Sequence, residues 1–340
     1  MKCLVTKLQG VIEDNTLKQL GEMRMQINAK SGGTSFKITR YENVGGVLKV
    51  YVVGGARLIS QDNANYVSEI VFPDSTARQD INVYLAKGEY EIGILHKSNI
   101  SELNSSNASA IKIDSGELAL LRGLNLYNLA EIGGCDISDI REWNKNANIK
   151  FAGTNYKGNL DGISTLGECM NLLFIYSSIA DNVSKLANLN IKYLFNLNYS
   201  VGLTGDILSA LSNSKSLVYL LMSDGGDITG DLTSIKDLTK LQEITMVNCK
   251  KVVGNISAFG SMLALNRLYI VATGVTGSFE QLVQAYRSNG KTSGSITIAN
   301  AHLWDTITYE GLAVAEWQRT NLPNKTELTL SWTASSISLA

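Results

Sequence analysis

A spacing of 24 residues constrains this chain more than any other feature. Leu217-x-x-Leu220-x-Met222, Leu241-x-x-Ile244-x-Met246 and Leu265-x-x-Leu268-x-Ile270 recur at that interval. A glycine landmark follows each one: Thr229-Gly230-Asp231-Leu232, Val253-Gly254-Asn255-Ile256 and Thr276-Gly277-Ser278-Phe279. Upstream, Leu172-x-x-Ile175 and Ile191-x-x-Leu194 carry the same pattern at less regular intervals of 19 and 26 residues. Their glycine landmarks are Lys157-Gly158-Asn159-Leu160 and Thr204-Gly205-Asp206-Ile207. A segment this short cannot bury its own apolar face, so a fixed period predicts units stacked on one another as a solenoid. The glycine supplies a backbone free to turn sharply. Between Leu232 and Leu241 the apolar residues Leu232, Ile235, Leu238 and Leu241 stand three apart, which predicts a short helical or 3₁₀ return.

These motifs resemble the leucine-rich-repeat family over roughly residues 118–290, most closely in the last three repeats. The resemblance implies parallel strands, a buried Leu ladder and a concave surface formed by the residues between the ladder positions. One such column reads Phe174, Tyr193, Tyr219, Glu243, Arg267, and the next reads Tyr176, Phe195, Leu221, Thr245, Tyr269. Six of these ten are aromatic in a chain that is 7% aromatic. Half-buried strands tolerate Tyr, but a run of exposed aromatics is more characteristic of an interface. The expected binding face is therefore Phe174, Tyr176, Tyr193, Phe195, Tyr219, Leu221, Glu243, Arg267 and Tyr269. Beyond the repeats, Gly294–Ile298, Trp304, Trp317 and Glu327–Trp332 provide strand and aromatic bulk suited to capping the last open rung.

The first part of the chain alternates with period two. Met23, Met25 and Ile27 form one run, and Phe36 and Ile38 another. Val50 with Val52, Val83 with Leu85, and Tyr90, Ile92 and Ile94 follow. Gly45-Gly46, Gly54-Gly55 and Lys87-Gly88 sit between runs as turns. About seven or eight half-buried strands are predicted. The Ser- and Asn-rich stretch from Asn99 to Ala110 reads as a boundary. The fold class expected is mainly β: a β-sandwich or barrel over 1–110, a leucine-rich-repeat solenoid over 111–290, and a C-terminal cap over 291–340.

Little in the chain points to catalysis. His96 and His302 are the only histidines, too few for a His-based triad or His-rich metal site. Cys3, Cys135, Cys169 and Cys249 lack metal-ligand spacing and read as buried thiols. Gly290-Lys291-Thr292 lacks the earlier glycine of a phosphate loop, where Ala285 stands. Asp206, Asp231, Asn255 and Ser278 recur after the repeat glycine, where such side chains bond nearby backbone amides. No catalytic, cofactor or metal site is expected. A net charge of −1 disfavours nucleic acid as a partner. The N-terminal stretch reads as neither a secretory signal nor a membrane span, because Lys7 interrupts it.

Lys2-Cys3-Leu4-Val5-Thr6-Lys7-Leu8-Gln9-Gly10 and Leu20-Gly21-Glu22-Met23-Arg24 resemble N-terminal segments of structural proteins of phages infecting gut Bacteroidetes, including the crAss-like group. Gly88-Glu89-Tyr90-Glu91-Ile92, leading into His96-Lys97-Ser98-Asn99-Ile100-Ser101, adds to that resemblance. It covers about the first 100 residues and implies a virion protein, made in the host cytoplasm, that docks through its N-terminal β-domain and projects its repeats. The partners implied are other virion proteins or copies of itself, with host cell-surface polysaccharide or protein as external ligands. The alternatives are a bacterial leucine-rich-repeat interaction module and a carbohydrate-active enzyme.

Overall fold

The computed structural model describes residues 158–200 and 202–340. Before residue 158 it describes 23–29, 34–40, 47–53, 58–59, 66–67, 69–72, 74–85, 88–95, 100–106, 108–114, 123–127 and 148–154. Lys2–Gly10, Gly45-Gly46, Gly54-Gly55, His96, Asn99, Cys3 and Cys135 lie outside the described residues. The chain divides into two compact units, Met1–Gly158 and Asn159–Ala340.

In the first unit the strands are β1 (Met23–Ala29), β2 (Thr34–Arg40), β3 (Leu48–Val53), β4 (Leu58–Ile59), β5 (Tyr66–Val67) and β6 (Glu69–Phe72). They continue with β7 (Asp80–Leu85), β8 (Gly88–Leu95), β9 (Ile100–Ser106), β10 (Ala108–Asp114), β11 (Gly123–Tyr127) and β12 (Asn148–Thr154). One antiparallel sheet runs β10-β1-β8-β3-β6. In a second, β2 lies antiparallel between β7 and β9. The period-two runs fall on β1, β2, β3, β7 and β8, and Ile38, Val50, Val83, Leu85 and Ile92 are buried. Parallel pairing starts here: Leu124 and Leu126 of β11 stand opposite Ile149 and Phe151 of β12.

The second unit is built of repeating rungs. Its long strands are β13 (Glu168–Ser177), β15 (Asn190–Asn198), β17 (Tyr219–Ser223), β19 (Glu243–Val247), β21 (Arg267–Val271) and β23 (Gly294–Ile298). They pair in parallel, each with the next. Shorter strands alternate with them: β14 (Asp181–Asn182), β16 (Leu203–Asp206), β18 (Asp227–Asp231), β20 (Val252–Asn255), β22 (Gly274–Ser278) and β24 (Ile307–Tyr309). These form a second parallel ladder, to which β25 (Leu312–Ala313) adds antiparallel. This is a leucine-rich-repeat-like solenoid. Leu220, Ile244 and Leu268 stand opposite one another in register and are fully buried, as the spacing predicts. Met222, Met246 and Ile270 form a parallel row beside them.

The chain returns through the 3₁₀ segments Val183–Leu186, Leu232–Ile235 and Ile256–Ser261 and the helices Ile207–Leu211 and Phe279–Ser288. Each starts on a capping side chain. Asn182, Asp206, Asp231, Asn255 and Ser278 accept from the amides of Ser184, Ser209, Thr233, Ser257 and Gln281. That contact satisfies a donor the helix itself leaves open. The glycines just before these caps lie against the previous rung. A Cβ on Gly205 would come within 2.7 Å of Asn182 Oδ1, and one on Gly277 within 2.6 Å of Asn255 Oδ1.

Three residues past the second ladder position runs a buried column of small groups: Ser177, Ser200, Cys249 and Thr273. This is where the leucine-rich-repeat pattern places Asn or Cys. Ser177 and Ser200 bond through their hydroxyls at 3.1 Å, and the Ser200 hydroxyl also donates to the Asn198 carbonyl at 3.3 Å. The last rungs are closed by β26 (Leu328–Trp332), antiparallel to β23, and β27 (Ile337–Leu339), antiparallel to β26. Trp304, Trp317 and Trp332 are buried there. Their indole N–H groups donate to Ala299 O, Glu310 Oε2 and Lys291 O. Trp332 also stacks on Tyr286 at 5.0 Å.

Candidate functional site

The outer face of the long strands carries the residues that alternate with the buried ladder. Its first row reads Asn171, Leu194, Tyr219, Glu243, Arg267, Thr297, and its second Leu173, Asn196, Leu221, Thr245, Tyr269. All of these are half-buried. Tyr219, Leu221, Glu243, Arg267 and Tyr269 therefore sit on the face the sequence assigns them.

Phe174 and Phe195 do not. Both are fully buried, and their rings meet edge-on at 6.5 Å. Phe195 stands opposite Leu172 and Leu220, and Phe174 opposite Leu197, so the two phenylalanines belong to the ladder. The expected ladder residues Leu194 and Ile175 point outward in their place. For Phe195 and Leu194 the physical reason is one extra residue in β15. Cys169 pairs with Ile191, but two positions later Asn171 pairs with Leu194, three positions on. Lys192 and Tyr193 thus oppose Met170 alone, a β-bulge. Because strand side chains alternate, the one-residue slip turns everything after Tyr193 to the opposite face. In β13 there is no bulge: the repeat begins at Cys169, not at Leu172, so Cys169-x-x-Leu172-x-Phe174 is the ladder, all three are buried, and Ile175 faces outward.

The bulge aims Tyr193 outward, where it is 44% exposed. Its ring packs edge-to-face on Tyr219 at 5.1 Å. A hydrogen bond with Tyr193, with the Glu243 carboxylate nearby, holds the Tyr219 hydroxyl above its ordinary pKa. At the other end of the strands lies a second pair that the sequence reading half-missed. Tyr176 and Tyr199 are 57% and 47% exposed and stack at 4.8 Å with an interplanar angle of 1°. Both are left-handed, with φ of 55° and 51°, Tyr176 as the penultimate residue of β13 and Tyr199 just past β15. The equivalent residues of the next rungs are Asp224, Asn248 and Ala272, with φ between 49° and 53°. The conformation is shared because these amides serve the next rung: Tyr199 N, Asp224 N and Asn248 N donate to Ser223 O, Val247 O and Val271 O. Tyr199 was findable from its place one residue before the small-group column at Ser200.

The six long strands carry four charged side chains, Glu168, Lys192, Glu243 and Arg267. Lys192 pairs with Glu168 at 2.9 Å; Arg267 lies 3.9 Å from Glu243 and 2.6 Å from Glu327. The amide oxygens of Asn190 and Asn198 are buried without a hydrogen-bond partner.

Chemistry of the attacking kind finds little support here. Burial pushes the Cys169 thiol up to about 12 and the Cys249 thiol up to about 11, so neither forms a nucleophilic thiolate at neutral pH. Among the described residues no group of three or more His, Cys, Asp or Glu could hold a metal ion, and no helix is long and apolar enough to cross a membrane. Asp206, Asp231, Asn255 and Ser278 are occupied as helix caps.

No protein family matches the chain, and no curated protein does. Among solved structures, an internalin from Listeria monocytogenes is similar over 50% of this chain, with 20% sequence identity and a TM-score of 0.34. The match spans 52% of that internalin, about half its length. The repeat architecture rests on the strand register and ladder described above, not on this likeness.

Proposed function

We propose that the chain is a non-enzymatic binding protein whose outer strand face holds a partner. The observation that carries this is the tyrosine cluster: four tyrosines, in two ring-contacting pairs, stand on neighbouring rungs of a rigid sheet. Exposed aromatic clusters are costly in water, and aromatic anchors dominate binding energy at interfaces. In the fuller form of the proposal the chain is a phage virion structural protein. Residues 1–110 dock on the particle, and the repeats present their face to a virion protein, a second copy or the host surface. The N-terminal resemblance supports this form. A bacterial interaction module would share the face but be absent from purified particles, which mass spectrometry distinguishes.

The face itself is tested by the double change Tyr193→Ala with Tyr219→Ala in the full chain. Association with cells of gut Bacteroidetes and with purified particles is measured alongside the melting temperature. Neither ring supports the core, so the melt is expected to hold. Association is expected to weaken by at least 2 kcal/mol, roughly thirtyfold. Unchanged association with a normal melt would sink the reading.

A further inference from the structure

We propose that the outer strand face from β13 to β17 binds a neutral β-linked hexose polymer, with Tyr176 and Tyr199 as its stacking platform and the strand asparagines as hydrogen-bonding groups. This rests on the binding-face reading above and names its ligand class. Three observations point the same way.

The first is where the tyrosines sit. Later rungs fill the left-handed position with Asp224, Asn248 or Ala272. Asn and Asp adopt that conformation readily, whereas a bulky aromatic there is an outlier. Such strain persists mainly at sites that use it. Tyr176 and Tyr199 are unfavourable both in backbone conformation and in the ring area they leave in water, so a requirement for stacked, exposed rings is what explains them.

The second is charge. Every charged side chain on the six strands is paired with a neighbour, Lys192 with Glu168 and Arg267 with Glu243 and Glu327. The face has no uncompensated cation for a phosphate, sulfate or uronate, because Lys192 is matched by Glu168 and Arg267 alone answers both Glu243 and Glu327. An anionic partner finds no free cation there, which suits an uncharged polymer.

The third is the polar set. Asn171, Asn196 and Asn198 lie on the same two strands as the tyrosines, and the Asn198 amide oxygen, next to Tyr199, has no donor within the protein. Tyr193 in β15 and Tyr199 just past its end are six residues apart, a span of about 20 Å. An extended ligand lying along β15 would meet a tyrosine pair at each end and amides between. A pyranose with equatorial hydroxyls fits this chemistry. Its axial C–H groups form an apolar face for the rings, and its hydroxyls both donate to and accept from carboxamides and phenols.

The test uses the full chain and cellohexaose as the probe, with an oligogalacturonate of equal length as the acidic contrast, by isothermal titration calorimetry. Cellohexaose is expected to bind at millimolar or tighter affinity, and the oligogalacturonate not to bind. The double change Tyr176→Asn with Tyr199→Asn is expected to weaken cellohexaose by about tenfold or more. Its melting temperature should stay the same or rise, because Asn suits the left-handed position. No heat with cellohexaose, equal binding by the double variant, or a lowered melt showing the stack to be structural would each overturn the proposal. If cellohexaose fails while Tyr193→Ala with Tyr219→Ala still abolishes cell association, the partner is a protein: the glycan assignment falls and the binding face stands. If that pair of changes leaves association intact as well, both fall.

Discussion

Glycine and asparagine divide one backbone task between them in this chain. Gly277, at φ 114°, turns the chain where a Cβ would lie 2.6 Å from Asn255 Oδ1, the atom that caps the helical return through Ser257 N. Gly277→Ala should add about 1–2 kcal/mol of left-handed strain and disturb a cap typically worth about 1 kcal/mol. Gly290 also has a left-handed φ, 86°, but nothing lies within 4 Å of its Cβ position. Gly290→Ala should therefore cost only the strain. Urea midpoints of the two variants are expected to differ by at least about 1 kcal/mol in that order, judged against the cap value; equal midpoints would mean that the contact with Asn255 is soft. Glycine landmarks of this kind are legible in sequence because no other residue meets their conformational demand. Phe195 was not legible. Nothing in Ile191-Lys192-Tyr193-Leu194-Phe195 announces that one residue is surplus, since Leu194 and Phe195 are equally apolar, and only the paired strand β13 decides which of them faces the core.

At the scale of the element, carboxylates that bond the backbone at the start of the helical returns carry a pH dependence. Asp181 at the start of β14 accepts from Leu160 N at 2.8 Å and Asn182 N at 2.7 Å, and pairs with Lys185 at 2.9 Å. Burial pushes its pKa up, but the hydrogen bonds from Lys185 and the two amides outweigh this and hold it below the usual 3.8. A carboxyl with a depressed folded pKa adds stability that is fully present above its unfolded pKa. That contribution is lost as the pH falls through the folded value. Asp231, held low by the Thr233 hydroxyl and amide, has the same sign. Denaturation midpoints of the native chain should therefore decline steeply below about pH 4. Those of Asp181→Asn should start lower and decline less. A native chain as stable in strong acid as at neutral pH would contradict the assignment. Asp231, with Asp206, Asn255 and Ser278, was legible in the recurring Asp, Asn or Ser after glycine, because helix starts have a short list of suitable side chains; Asp181, which follows Ala180, was not. The bulge that places Tyr193 had no comparable signature.

For the molecule as a whole, the repeat means that each rung is held by its neighbours. Ile244 is fully buried between Leu220 and Leu268, so Ile244→Ala should cost roughly 2–5 kcal/mol. In a stack the loss is shared with adjacent rungs. Amide exchange should accelerate in β17 and β21 as well as in β19; acceleration confined to β19 would mean that the rungs open independently. The period of the later repeats was legible because Leu-x-x-Leu-x-Leu survives there unaltered, and the aromatic C-terminal segment was legible as bulk, though not as the stacking of Trp332 on Tyr286. The pairing of every charge on the long strands reaches beyond stability. A face whose cations are all matched cannot draw in an uncharged partner from a distance, so encounters with one proceed by unguided diffusion, at the about 10⁵–10⁶ M⁻¹s⁻¹ ordinary for uncharged surfaces. Added salt has no attraction to screen. Selectivity at such a face is exercised after collision, in how long the partner stays.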